Sequence, residues 1–335
     1  MSVEKYSWLK KSIQRNSIES LPSSIIIEGE SGLAKSKLAQ FFTKELLCSS
    51  VEHQCQGCNS CSYLKAESHP DYCYLTSESC SSGLYSASKE KKEKVTSKSI
   101  HGIRALNVFM SLSNSVSERR VAVVFDAHLM NLNAQNALLK TLEELPKNKF
   151  IILVSDKRKY FQPTIYSRSS LISINNPSTT EIDEWIIDRG YIGYSSLNFS
   201  PDSTPLEIER LINTDSVNQY QEITQKVNLY CCGELTTSDL IKFFKGLNIS
   251  YELKINSIIG FLITCLGITQ MFYKPHPLIT SMNNRSIDDE ALSDLIEELI
   301  DYKVALVKVP SLNEQIGLSN FIFKVQKIFT NDSLN

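Results

Sequence analysis

Several compositional signals are weak or missing in these 335 residues, and each gap excludes something. Only 12 glycines and 10 prolines are present, which excludes a collagen-like or low-complexity chain. Basic charge is not in excess: 35 Lys and Arg stand against 37 Asp and Glu, a net charge of −2. A chain that binds nucleic acid through its overall charge is usually basic, so any DNA contact must be local or supplied by partners. The longest apolar-leaning stretch, residues 258–271, is interrupted by Gly260, Thr264, Gly267 and Gln270. It is short for a membrane span of about 20 residues and reads as a buried helix. The first residues, MSVEKYSWLKKS, hold no apolar signal core, so a cytoplasmic protein without a membrane anchor is expected. In that reducing compartment nine cysteines are not a disulfide framework.

What is present alternates between strand and helix signals. Ile25, Ile26 and Ile27 lead into a turn at residues 29–32, and Leu38, Phe42 and Leu46 then recur every four residues on one helix face. Residues 121–125 form a second β-branched run ending at Asp126. Leu138, Leu142 and Leu145 mark another helix, stopped by Pro146, and strands are expected at 150–154 and, more weakly, 171–174. Fully apolar strands alternating with amphipathic helices predict an α/β domain with a parallel sheet covered on both faces. Residues 76–99 carry eight serines and a run of lysines and glutamates, the composition of a surface insertion. Beyond Pro177 the strand signals stop. Helices are expected at 179–189, with Thr180 as the cap, at 206–211, and almost continuously from 216, interrupted at Pro275 and Pro277. The division is therefore 1–174, 175–215 and 216–335.

Cys48, Cys55, Cys58 and Cys61 form C-x6-C-x2-C-x2-C. Two residues between ligands let a tight turn present both sulfurs to one ion, and four thiolates complete a closed, structural zinc site. The same spacing opens one iron–sulfur motif, which would continue x3-C-P, whereas the next cysteine here is Cys73. Cys231, Cys232 and Cys265 read as helix-core residues.

Residues 29–36 fit the phosphate-loop pattern G-x4-G-K-[ST], with Gly29, Gly32, Lys35 and Ser36 in a strand–loop–helix context. The exception is Ala34, where the pattern has glycine. In the left-handed conformation a non-glycine residue costs roughly 1–2 kcal/mol. Asp126 closes an apolar strand and is suited to Mg²⁺. Ala127 follows it, so no glutamate is there to activate water, and His128 reads as a surface residue. Such a site binds ATP with Mg²⁺ weakly or not at all and is poorly equipped to hydrolyse it. Ser167-Arg168-Ser169, just before the last strand, says little by itself.

These motifs taken together resemble the clamp-loader branch of the AAA+ ATPases, and within it the delta-prime subunits of bacterial DNA polymerase III. The resemblance is carried by Tyr6-Ser7-Trp8-Leu9, the altered phosphate loop, the four cysteines, His69-Pro70-Asp71-Tyr72, the stretch Asn136-Ala137-Leu138-Leu139-Lys140-Thr141-Leu142-Glu143-Glu144, Ser167-Arg168 and Leu312-Asn313-Glu314. It implies an AAA+ domain with an inserted zinc module, a small helical lid and an all-α collar that mediates assembly. It also implies a stator role beside motor (gamma/tau-type) and delta subunits, in a ring that opens a sliding clamp and places it on primed DNA. The chain would then be a subunit of a DNA-directed DNA polymerase (a nucleotidyltransferase) with no catalysis of its own. Arg168 would reach, in trans, the ATP of a neighbouring subunit. The third residue of that triplet departs from the family's cysteine, being Ser169. Two rival readings stay open: an active AAA+ motor subunit, disfavoured by Ala34 and Ala127, and a zinc-based nucleic-acid-binding module outside replication, disfavoured by the near-neutral charge.

Overall fold

The computed structural model describes residues 3–16, 21–50, 55, 57–81, 99–270, 288–308 and 314–330. Most of the serine-rich insertion and the Pro275–Pro277 break lie outside them. The chain forms two compact units, Met1–Pro177 and Ser178–Asn335.

The first unit is built on five parallel strands: β1 (Ser24–Glu28), β2 (Tyr72–Leu75), β3 (Arg120–Val124), β4 (Lys149–Ser155) and β5 (Ser170–Ser173). Their order is β2-β3-β4-β1-β5. Every residue of β1 and β3 is buried, as the unbroken apolar runs require of a sheet covered on both faces. Successive side chains point to opposite faces. Ile26, Ala122, Val124, Ile151 and Leu153 therefore share one core with Ile103, Leu106 and Phe109 of α4 (Ile100–Ser111) and with Leu138 and Leu142 of α5 (Leu132–Glu143). Two shorter helices, α1 (Lys10–Arg15) and α3 (Asn59–Lys65), flank α2 (Lys35–Leu47) in sequence. The side chains of α2 stay out of that core; the helix contacts β1, β3 and β4 and buries Leu38, Phe42 and Leu46. The expected α/β class with a parallel sheet is thus the observed one.

Neither β2 nor α4 is among the elements expected from the sequence. In β2 the order Tyr-Cys-Tyr-Leu alternates half-buried and buried positions, as suits an edge strand. The helix marked by Leu138 and Leu142 ends at Glu143, so Leu145 packs beside it from the following turn.

The second unit is helical: α7 (Thr179–Asp188), α8 (Pro205–Asn213), α9 (Val217–Cys231), α10 (Thr237–Gly246), α11 (Tyr251–Thr269), α12 (Asp289–Lys308) and α13 (Glu314–Thr330). α6, a single turn over Pro163–Tyr166, precedes β5 in the first unit. The cap of α7 is Ser178, not Thr180. The Ser178 hydroxyl accepts from the Glu181 N–H, and the Glu181 carboxylate accepts from the Ser178 N–H. That reciprocal pair satisfies two otherwise unpaired donors, which a threonine inside the first turn cannot do.

Ile223, Val227, Leu240, Phe244, Ile258, Phe261, Leu292, Leu299, Phe321 and Val325 form one core. Cys231 and Cys265 join it, while Cys232 sits half-buried at the end of α9. Among the described residues, one helix, α11, is long and apolar enough to cross a membrane. Of its most apolar window, 61% is buried within the protein, as in a core helix.

Candidate functional site

The four cysteines predicted to share an ion are brought together. All four sulfurs lie within 4.8 Å of one another. Cys48 Sγ stands 3.7 Å from Cys55 Sγ, 3.9 Å from Cys58 Sγ and 3.8 Å from Cys61 Sγ. Thiolates placed about 2.3 Å from a tetrahedral ion lie about 3.8 Å apart, so the donors fit one small ion. These separations are far beyond a sulfur–sulfur bond of about 2.05 Å.

Local structure favours the thiolates. The N–H of Cys58 donates to Cys55 Sγ at 3.3 Å, and the N–H of Cys61, in the first turn of α3, donates to Cys58 Sγ at 3.4 Å. Hydrogen bonds from the Gly57 and Cys58 backbone lower the Cys55 thiol below its ordinary range. Burial opposes ionisation of Cys58, but bonds from Ser49 and Cys61 outweigh it and bring the thiol down to about 5.

A buried polar network fastens this module to the sheet. Asp71 is fully buried and accepts N–H bonds from Ser115, Val116 and Ser117 at 2.8, 2.7 and 2.9 Å. Its carboxylate also pairs with Arg120 Nη2 at 2.8 Å. The Ser117 hydroxyl lies 3.0 Å from the Leu47 carbonyl, 2.8 Å from Ser60 Oγ and 3.2 Å from His69 Nε2. The ends of α2 and α3 are thereby tied to β3. His-Pro-Asp thus works here as a structural fastener.

The phosphate-loop candidates occupy one turn between β1 and α2. Strand ends of this kind are where open α/β sheets bind ligands. Gly29 is required by space: a Cβ there would stand 2.4 Å from the Ile174 carbonyl oxygen. Gly32 has φ +84°, a left-handed value that glycine adopts without cost. Ala34 takes the same region, φ 60° and ψ 25°, and is buried. The loop therefore keeps its left-handed turn although alanine has replaced glycine. The Ala34 carbonyl accepts from the N–H groups of Lys37 and Leu38, starting α2, and Trp8 Nε1 donates to the Leu33 carbonyl at 3.0 Å.

Ser36 is exposed. Lys35 is not: its side chain is 2% exposed and its ammonium is 2.7 Å from Asp156 Oδ1. It also donates to the Glu30 carbonyl. Burial lowers its pKa, while Asp156 and Glu30 act in the opposite sense.

Asp126 lies just beyond β3 in a left-handed conformation, and its Oδ2 accepts from the Ser77 N–H at 3.2 Å. His128 is half-buried, and its Nδ1 accepts from the Asp156 N–H at 3.2 Å. It is therefore a fastener of Asp156, not the plain surface residue its sequence position suggested. Burial lowers its pKa, against the pull of Asp156 and Asp126.

Arg168 bonds to residues outside this loop. Its Nη2 is 2.8 Å from Glu143 Oε1 at the end of α5, with the two side chains 35% and 49% exposed. Its Nη1 donates to the Thr164 carbonyl and the Ser167 hydroxyl. Just ahead of it, the Tyr166 hydroxyl donates to Glu28 Oε2 at 2.9 Å. Glu28, at the end of β1, is buried and also accepts from Ser173 Oγ and the Lys159 N–H.

Asp156 and Glu28 carry no motif, and sequence reasoning passed over both. The one available signal for Asp156 was its place after an apolar strand. In a parallel sheet that position stands beside the loop leaving the neighbouring strand.

Comparison with known proteins finds relatives for this chain. The chain is 27% identical over 221 residues to the DNA polymerase III subunit delta' of Pseudomonas aeruginosa, covering 64% of this chain and 63% of the relative. It is 27% identical over 194 residues to the subunit of the same name from Buchnera aphidicola, covering 55% and 54%. The matched region thus spans between half and two-thirds of these relatives. Among solved structures, a DNA polymerase III gamma subunit-related protein of Thermotoga maritima aligns with 15% identity and a TM-score of 0.40, over 93% of this chain and 97% of that one. The family described as DNA polymerase III, delta subunit, matches residues 2–178, more than half of the chain. The chain belongs to that family, and its relatives above are named delta' subunits.

Proposed function

We propose that this protein is a non-hydrolysing stator subunit of a bacterial clamp loader. It would assemble with motor (gamma/tau-type) and delta subunits in the cytoplasm and act on a sliding clamp and primed DNA only through that complex. Family membership supports the complex. The stator role is supported by one observation above all: the phosphate-loop lysine is already committed to an internal carboxylate, Asp156. Asp126 is likewise engaged within the protein, accepting the Ser77 N–H from the segment after β2, and Ala127 offers no base. ATP and Mg²⁺ would therefore bind weakly or not at all. Residues 175–215 would serve as a lid, and residues 216–335 as the collar that joins neighbouring subunits.

The four-cysteine cluster would hold a structural zinc ion. The fit of its sulfurs to a single ion supports this over an iron–sulfur cluster, whose several metal atoms would hold the thiolates farther apart. Bound zinc contributes a closed cross-link, and no coordination position is left for a reacting water.

Arg168 would act on ATP held by an adjacent motor subunit. A guanidinium stays charged and presents forked donors suited to phosphate oxygens. Its partial exposure, and a resting partner held only in a solvent-exposed pair, leave it available for exchange. The test is co-expression with the other clamp-loader subunits, followed by ATPase and clamp-loading assays. A stable complex with negligible turnover by this chain alone supports the reading. Failure to assemble, or vigorous turnover abolished by Lys35→Ala, refutes it.

A further inference from the structure

The register of the sheet places an anion at the phosphate loop. β1 and β4 are parallel neighbours, with Glu28 opposite Ser155. The residue after β4 therefore stands beside the first residue of the loop, and that residue is Asp156. Its backbone N–H is held by His128 Nδ1, so the carboxylate is not a wandering surface group. Its Oδ1 is 2.7 Å from Lys35 Nζ; the lysine is 2% exposed and the aspartate 37%. The ammonium is thus enclosed, while the carboxylate lies between it and solvent. The turn into α2 is closed from within, the Ala34 carbonyl accepting the Lys37 and Leu38 N–H groups.

We propose that Asp156 is the residue that closes this loop to nucleotides, its carboxylate holding Lys35 in the place a phosphate group would take. This rests on reading the loop as degenerate and assigns that degeneracy chiefly to one side chain outside the motif. The ligand class excluded is the di- or triphosphate of a nucleotide. An approaching polyphosphate must separate the ion pair and then remain beside the displaced carboxylate, a repulsion between like charges at close range. The alanine at position 34 is a lesser obstacle, since it already adopts the required backbone conformation.

The experiment titrates the full chain with Mg-ATP, with ADP and with inorganic tripolyphosphate, by calorimetry. The wild type, Asp156→Asn, Asp156→Ser and each variant combined with Lys35→Ala are compared in a Trp185→Phe background, with folding of the first unit checked by Trp8 fluorescence. Either substitution at Asp156 should raise affinity for tripolyphosphate and Mg-ATP at least about tenfold, and Lys35→Ala should remove the gain. Affinity within twofold of wild type in both folded single variants, or a gain that survives Lys35→Ala, overturns the proposal. Tight Mg-ATP binding by the wild type instead overturns the reading of the loop as degenerate. The two failures are therefore told apart.

Discussion

Replacing Asp71 by asparagine tests the buried network with little change of shape. Asp71 is 0% exposed, and its partner Arg120 is 2% exposed. The carboxylate accepts three backbone N–H groups and the guanidinium. An amide offers one acceptor atom and turns a donor toward either the Val116 and Ser117 N–H groups or Arg120. Arg120 is poorly placed to find another anion: its remaining contacts are the Phe109 and Ser113 carbonyls and the Phe109 ring, 4.5 Å away. Removing one partner from a buried ion pair costs about 3–5 kcal/mol. The expected loss for Asp71→Asn lies in that range. Arg120→Met should cost less than the sum when combined with it, because the double variant leaves no orphaned charge. The chain has two tryptophans, Trp8 in the first unit and Trp185 in the second. In a Trp185→Phe background, urea unfolding followed by Trp8 fluorescence reports the first unit alone. A loss below about 1 kcal/mol, or strict additivity of the two substitutions, would refute the network as a source of stability.

Other consequences are open to measurement. Elemental analysis should find one zinc per chain, and Cys58→Ser should release it and loosen the module, since metal binding there is coupled to local folding; iron, or full zinc retention, would contradict this. Ala34→Gly should stabilise the first unit by about 1 kcal/mol by relieving a left-handed alanine, and destabilisation in urea would show that the turn is held otherwise. Arg168→Ala should change stability by less than about 1 kcal/mol, because its pair with Glu143 is solvent-exposed, yet lower ATP hydrolysis by the assembled loader; unchanged hydrolysis by an intact complex would refute a trans role. His69 and His128 both have pKa values lowered by burial from 6.5. The unfolded chain therefore binds protons first, and stability of the first unit should fall as pH drops below about 6.5. His128→Gln and His69→Gln should each flatten that slope, measured by urea unfolding between pH 5 and 8.

The parts of the fold that could be read from sequence were those with a short period or a local spacing. β1, β3 and β4 announce themselves because each is an unbroken apolar run, and the cysteines because two-residue gaps define a metal turn. β2 is harder to see: four residues of tyrosine, cysteine and leucine at a sheet edge, only every second one buried, make a short and ambiguous run. The cap of α7 fell two residues from the expected threonine because serine and threonine neighbours compete, and only the position of Glu181 decides between them. Asp156 and Glu28 escaped for a different reason. Each acts on residues distant in sequence, and only strand register makes them neighbours.

Glu28 gives the unit a fixed datum. One carboxylate at the tip of β1 receives the Tyr166 hydroxyl, the Ser173 hydroxyl and the Lys159 amide. Tyr166 closes the single helical turn of α6, and Arg168 follows two residues later. Burial, and then Glu28 itself, push the tyrosine up to about 12, so the link stays protonated and intact across any physiological pH. The base from which Arg168 extends is therefore referenced to a fully buried strand and not to the surface around it. A guanidinium mounted this way has freedom in its own side chain and almost none in its anchorage. Its reach is set by four rotatable carbon–carbon and carbon–nitrogen bonds measured from a stationary point.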